Sequence, residues 1–314
     1  MSANVNTEQR RKYVKPRYKV RQTPGDIAFN IFNAFLMLFV VVVMLYPILN
    51  TLAISFNEPL DSVRGGIYLW PRIFSLTAYE SVFENELLLI AFRNSIARTV
   101  LSTVGGLFVC SVAAYVLARR EFLLRRFVTI YFVITMYVSA GLIPTFFLFQ
   151  DLGILNTFHV YWLPGLFGAF NVIVIRSYIQ GLPDSLVEAA RIDGAGEFRI
   201  FLQVILPICK PVLATVGLWI AVGNWNDWFT TEVFARQNHL ATLQHELMKL
   251  VASAMGETDT VNVNPDSLQG GGHVMTPIAM RAAITMVATI PILCVYPFLQ
   301  KYFVKGVHVG SVKG

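Results

Sequence analysis

Leu182-Pro183-Asp184-Ser185-Leu186-Val187-Glu188-Ala189-Ala190-Arg191-Ile192-Asp193-Gly194-Ala195 is a polar, punctuated stretch in a strongly apolar chain. Pro183 cannot continue an incoming helix, and Ser185 with Glu188 three residues on has the spacing of a capping box. Gly194 can take the left-handed conformation that closes a helix. The spacing therefore predicts a helix over Ser185–Asp193, about two and a half turns. Ala189 and Ala190 carry almost no side chain, so the backbone there can approach a partner closely, while Leu186 and Val187 supply apolar contact. A second short helix, Glu197–Gln203, leads to Leu206-Pro207.

On either side of this stretch the chain is apolar on the scale of a lipid bilayer. A hydrocarbon core about 30 Å thick takes roughly 20 residues of helix. Six runs fit: Ile27–Leu49, Ser95–Leu117, Phe127–Phe149, Trp162–Ile179, Leu206–Trp228 and Ile278–Phe298. The first lies too far from the start, and is too long, for the apolar region of a cleaved signal peptide. Hydrophobic residues make up 55% of the chain and charged ones 14%, with a mean hydropathy of +0.57, which excludes an ordinary water-soluble domain. The fold class expected is an all-α polytopic membrane protein with six transmembrane helices.

The charges orient those spans. Before the first run stand Arg10, Arg11, Lys12, Lys15, Arg17, Lys19 and Arg21 against Glu8 and Asp26, which holds residues 1–26 in the cytoplasm. Six spans then place Arg119–Arg126, Ser177–Lys210 and the 301–314 tail on the same side, so both termini are cytoplasmic. The loops assigned outside are acidic: Ile54–Phe92 has five acids against Arg64 and Arg72, and Thr230–Thr276 has five against Arg236 and Lys249. Residues 27–300 form the membrane domain, with a cytoplasmic loop at 182–207 and an outer loop at 230–276. The net charge of +6 is thereby a topology signal with some affinity for anionic lipid, and no nucleic-acid partner is expected. In the last outer loop Leu240–Val251 reads as an amphipathic helix, and Gly270–Gly272 as a hinge.

Glu188-Ala189-Ala190, then three residues, Gly194, nine residues, Val204, one residue and Leu206-Pro207 resembles the EAA motif of binding-protein-dependent transport permeases, with Val204 in place of the usual Ile. The likeness extends to Asn94-Ser95, to Ala113-Ala114-Tyr115-Val116-Leu117-Ala118-Arg119 and to Ile143-Pro144. It continues through Leu152-Gly153-Ile154-Leu155-Asn156-Thr157, Trp225-Asn226-Asp227 and the Lys305-Gly306 to Lys313-Gly314 tail. Together these are similar to the MalG-like half of the carbohydrate-uptake branch. The resemblance implies a type I ABC importer permease fold, with Leu186, Glu188, Ala189, Ala190, Asp193 and Gly194 on a coupling helix that contacts an ATP-hydrolysing subunit. It further implies a heterodimer with a second, MalF-like permease, two ABC ATPase subunits, an extracytoplasmic solute-binding protein and an oligosaccharide cargo. The outer loop would face that binding protein.

Other residues bear on cargo. Trp219, Asn224, Trp225, Asn226, Asp227 and Trp228 combine aromatic faces and amides suited to sugars; the same composition suits an interfacial aromatic belt. Asp227 is costly against lipid, so a subunit interface or aqueous path is expected for it. Arg98 and Arg281 lie near helix ends, where a long cation can snorkel to the interface, or face the pathway and attract a uronate-containing oligosaccharide.

The chemistry of other classes is missing. No GxxxxGK[ST] phosphate loop occurs, so ATP and Mg are expected on the partner ATPase, with no cofactor and no metal on this chain. The dispersed His159, His239, His245, His273 and His308 form no HExxH or clustered ligand pattern, so an enzyme is not expected. Cys110, Cys209 and Cys294 are far apart, and no disulfide is expected. A secondary transporter would call for inverted repeats and ionisable groups at mid-membrane, and neither is evident. An ABC permease for a non-sugar solute is opposed only by the carbohydrate-like flanking motifs.

Overall fold

The computed structural model describes residues 23–256 and 275–310. The basic residues Arg10–Arg21, the Gly270–Gly272 patch and Lys313-Gly314 lie outside the described residues. Two compact units divide at Leu49 and Asn50. In the first, helix α1 (Pro24–Ser55) begins beneath a cap in which Asp26 accepts hydrogen bonds from the Thr23 backbone N–H and hydroxyl, both at 2.8 Å. Its apolar side chains before Leu49, among them Phe29, Phe35 and Met44, are exposed, whereas Ala53 and Ser55 at its end are buried.

The second unit is built on α4 (Glu86–Ala118), an unbroken helix of 33 residues that starts nine residues before the expected span. The extension follows from Asn85, whose side chain accepts from the N–H groups of Leu87 and Leu88 and caps the helix there. Before it come two short helices, α2 (Pro59–Val63) and α3 (Thr77–Glu84). After it come α5 (Arg125–Tyr137), α6 (Leu142–Asp151), α7 (Ala169–Gln180), α8 (Ser185–Ile192), α9 (Glu197–Ile200) and α10 (Leu206–Ile208). The chain continues through α11 (Lys210–Asn226), α12 (Phe229–Phe234), α13 (Leu243–Gly256) and α14 (Pro277–Gly310). Among the described residues the only β pairing is an isolated bridge between Asn57 and Phe74.

Three of the expected spans are not single helices. α5 and α6 meet at 116° across Val138–Gly141, where Gly141 adopts φ 85° and Pro144 falls in the first turn of α6, a position that needs no backbone donor. The fourth begins as 3-10 turns at Phe158–Tyr161 and Pro164–Leu166 and bends by 42° into α7. The fifth bends by 82° at Cys209. There Pro211 has no N–H for the carbonyl of residue 207 and its ring crowds that carbonyl, while Phe201–Ile205 form a π turn in place of the end of the expected Glu197–Gln203 helix. The last helix continues beyond Phe298 to Gly310. Among the described residues three helices are long and apolar enough to cross a membrane, and up to six spans result if each bent pair is counted as one.

Within a bilayer, close packing rather than water exclusion holds helices together. α4 shows this directly. A Cβ on Gly105 would stand 2.5 Å from Leu166 Cδ2, and one on Gly217 of α11 would stand 3.0 Å from Leu107 Cδ1. The core at the Ala118 end of α4 joins Cys110, Ala114 and Tyr115 to Val172 and Ile175 of α7, Val187 of α8 and Val216 of α11. A second cluster, at the Glu86 end, gathers Leu88, Trp225, Leu243 and the small residues Ala279, Ala283 and Ala288 of α14.

Candidate functional site

The loop between α7 and α11 forms a surface-exposed helix, α8. Asp184, not Ser185, occupies its N-cap and makes no side-chain cap bond, so the expected Ser185–Glu188 capping box does not form. The Asp184 carboxylate lies instead 3.6 Å from Arg120. The other end is closed by Gly194 at φ 79°, with Gly194 N–H donating to the Arg191 carbonyl and Ala195 N–H to the Ala190 carbonyl, both at 3.0 Å. That pair of bonds is the Schellman arrangement, which requires the left-handed residue that glycine supplies.

Val187 is buried in the chain's own core and Ala190 packs against the same cluster, with Leu186 half-buried. Thus Ala190 and Val187 serve contacts within the chain, whereas Ser185, Glu188, Ala189 and Ile192 form the outward stripe at i, i+3, i+4, i+7. Asp193 and Gly194 are exposed beside it. Ile192 is 86% exposed and Phe198 65% exposed, two apolar side chains that the motif did not single out. Projecting the helix with Val187 inward would have placed Ile192 outward; Phe198, in the next element, has no such local signal.

Arg191 fastens this loop. Its Nε donates to Glu197 Oε1 at 2.8 Å and its Nη1 to Glu121 Oε1 at 3.1 Å. These bonds, to Glu121 first and then Glu197, raise the Arg191 pKa. Glu121 is held below the usual carboxylate range by its own backbone N–H and by Arg191.

The Asn224–Trp228 segment is folded inward. Trp225 is 7% exposed, its indole N–H donates to the Ala288 carbonyl at 3.0 Å, and its ring meets Phe92 edge-on at 6.4 Å. It offers no free face for stacking on a sugar. Asn224 bonds back to the Ile220 carbonyl. Asn226 is exposed, donating to the Val222 carbonyl and accepting from Gln244 at 3.3 Å. Trp228 is partly open, and Trp219 is stacked at a tilt on Phe170 at 5.6 Å.

Arg98 is 1% exposed and does not snorkel. Its guanidinium donates to the Asp227 carbonyl at 2.9 Å and to Asp227 Oδ2 at 2.5 Å, and lies over the Tyr161 ring at 4.7 Å. An arginine so placed would be prohibitively costly without that carboxylate, which explains why Asp227 turns one oxygen to Arg98 while its side chain stays partly exposed. Tyr161 in turn donates to the Leu240 carbonyl at 2.5 Å. Arg281 differs: it is partly exposed, and among the described residues no carboxylate pairs with it. Thr285 and Thr289 follow it at i+4 and i+8 on α14, each hydroxyl donating to the carbonyl four residues back at 2.7 Å.

Near the start of α13, which begins three residues later than the expected Leu240, His245 Nε2 lies 2.8 Å from Glu232, and Lys249 lies 2.8 Å from Glu246. Burial disfavours the ionised Glu246, but hydrogen bonds from His245 and Lys249 prevail and hold its pKa down.

Comparison with known proteins places this architecture. Residues 106–309 match the family described as binding-protein-dependent transport system inner membrane component. The polygalacturonan/rhamnogalacturonan transport system permease protein YtcP of Bacillus subtilis (strain 168) is 35% identical over 89% of this chain and 96% of its own. The arabinooligosaccharides transport system permease protein AraQ of Halalkalibacterium halodurans is 30% identical, over 88% of this chain and 94% of its own. A chain in the crystal structure of a bacterial ABC transporter involved in the import of the acidic polysaccharide alginate superposes with a TM-score of 0.81. It is 31% identical, with 90% of this chain and 99% of that one covered. The chain is a member of the binding-protein-dependent transport system inner membrane component family, a transport permease rather than an enzyme.

Proposed function

We propose that this chain is the MalG-like permease of an ATP-driven importer for a uronate-containing oligosaccharide, in the bacterial cytoplasmic membrane with both termini inside. It pairs with a MalF-like permease, rests on two ABC ATPase subunits that bind ATP and Mg, and receives cargo from an extracytoplasmic binding protein. The observation that carries the reading is α8: a short helix with an outward stripe of Ser185, Glu188, Ala189 and Ile192, stopped by Gly194. The loops assigned to that side are the basic ones. Small and apolar outward side chains suit a close contact, and Glu188 with Asp193 adds charge for register. Closure of the ATPases would draw the coupling helices together and turn the spans outward-facing, and hydrolysis would return them.

Acidic cargo is supported by two relatives whose names specify acidic glycans, polygalacturonan and alginate. Of the two candidate arginines, Arg281, partly exposed and without a carboxylate partner among the described residues, is free to meet a uronate carboxylate, while Arg98 is committed to Asp227. Asn226, and the remaining path candidates Asn224, Trp225 and Asp227 behind it, would shape the wall near the cargo.

The test is uptake by the full reconstituted complex. Transport of an oligogalacturonate should be vanadate-sensitive. Arg281→Gln should reduce it about tenfold, the scale of one charge-assisted hydrogen bond, and leave a neutral arabinooligosaccharide unaffected. Equal uptake of both glycans by both proteins would refute the acidic reading. Vanadate-insensitive uptake would refute the importer.

A further inference from the structure

The reading of α8 as the ATPase contact leaves open how its displacement reaches the far end of the molecule. The direct continuation, through α9 and α10 into α11, passes the π turn at Phe201–Ile205 and the 82° bend at Cys209. A bent joint with missing backbone hydrogen bonds absorbs motion. α4 alone among the helices flanking the loop runs unbroken, about 50 Å at helical rise, and both of its ends are fastened by polar groups.

At one end the Glu197 carboxylate is the joint. Its Oε2 accepts from Tyr115 of α4 at 2.7 Å, and its Oε1 accepts from Arg191 of α8 at 2.8 Å. One carboxylate thereby holds two helices, one oxygen to each. Tyr115 is itself 6% exposed, packed on Phe201 at 5.4 Å, and Arg119 lies over its ring at 4.2 Å. Arg119 Nε and Nη2 are buried with no hydrogen-bond partner among the described residues, and the charge of Arg119 helps to keep the Glu197 carboxylate ionised.

At the other end, within five residues of α4, Asn94 donates to the carbonyls of His239 and Ala241 at 2.8 and 2.9 Å. Ser95 Oγ accepts from the Leu243 N–H at 2.9 Å, and Arg98 holds Asp227. This end thus grips the entry to α13 and the exit of α11.

We propose that α4 is the strut that carries coupling-helix motion to the α13 end, with Tyr115 and Glu197 as positioning residues at one end and Asn94, Ser95 and Arg98 at the other. The proposal rests on α8 being the ATPase contact, and two reporters separate the two ideas.

The experiment uses the assembled complex in nanodiscs, in a Cys294→Ser background because Cys110 and Cys209 are buried. Environment-sensitive fluorophores are attached at Asp184→Cys at the start of α8, outside the contact stripe, or at Met248→Cys on α13, both exposed positions. ATP with vanadate should shift both reporters in the otherwise unaltered complex. With Tyr115→Phe, which keeps the ring and its packing, the α8 response should persist while the α13 response falls about fivefold, the scale of one net hydrogen bond. Glu197→Gln, which keeps an acceptor for Tyr115 but loses the ion pair to Arg191, should give a smaller loss of the α13 response. If α13 responds in full in both variants, the strut is wrong and the ATPase contact stands. A silent α8 reporter without either substitution overturns the contact, and the strut with it.

Discussion

The α8 loop and the Asn224–Trp228 segment are both short and polar for a membrane chain, yet they are held by opposite means. α8 keeps Val187 inside and is tied at its edges by exposed ion pairs, which contribute little to stability and can be remade as the loop moves. The Asn224–Trp228 segment is held by the ion pair of buried Arg98 with partly exposed Asp227 and by a buried indole; release of either would leave a buried donor stranded. The contacts of the first region are thus cheaper to break than those of the second. Substitutions in α8 should therefore change transport more than stability, and those in the second region the reverse.

The largest stability loss is expected from Trp225→Ala, which empties the junction of α4, α11 and α14 and leaves the Ala288 carbonyl without this donor. A cost of about 4 kcal/mol should appear as a lower unfolding midpoint of the solubilised complex. A shift no larger than that of an exposed control such as Trp219→Ala would erase the contrast between the regions. Arg98→Ala follows, at about 3 kcal/mol, toward the low end because Asp227 keeps some contact with its surroundings. Arg98→Ala with Asp227→Ala should cost less than the sum of the two; strict additivity would mean that the pair does not act as a unit.

Gly194→Ala comes next. Nothing lies within 4 Å of the added Cβ, so the cost is the left-handed backbone alone, about 1 kcal/mol, and the stability shift should be small. Transport-linked ATPase activity should nevertheless drop severalfold, and Glu188→Lys should do the same with an unmoved unfolding midpoint. Normal coupling in both would remove α8 from the mechanism.

The smallest effect concerns pH. The Glu246 pKa is depressed from its ordinary value of about 4.5, so its stabilising contribution is complete above that value and is lost as pH falls through the lower folded pKa. Below about pH 4.5 the native complex should therefore lose midpoint slightly faster than Glu246→Gln does. Parallel curves would show that His245 and Lys249 do not stabilise the carboxylate.

Much of the α8 loop is legible in the residues because its signals are local. Pro183 and Gly194 act on their own backbone, so the helix they bound forms where they put it. Ser185 misled because a cap depends on which residue the turn places first, and Asp184 took that place while reaching to Arg120. The path candidates were harder to orient. Trp, Asn, Asp and Arg advertise polarity without direction, and Trp225, Asp227 and Arg98 find their partners across gaps of 63 and 129 residues that no spacing rule connects.

By itself the sequence determined that the chain carries six apolar runs long enough to cross a membrane, where the charged loops fall, and where the motif helix begins and ends. Those properties depend on transfer of side chains into lipid and on single-residue backbone preferences, which are local quantities. Only the tertiary structure decided that three spans are bent, that Ala190 faces inward while Ile192 faces out, and that Arg98 spends its charge on Asp227 while Arg281 finds no carboxylate among the described residues. Those outcomes depend on which distant groups meet, and a buried charge or indole takes its direction from the partner that satisfies it.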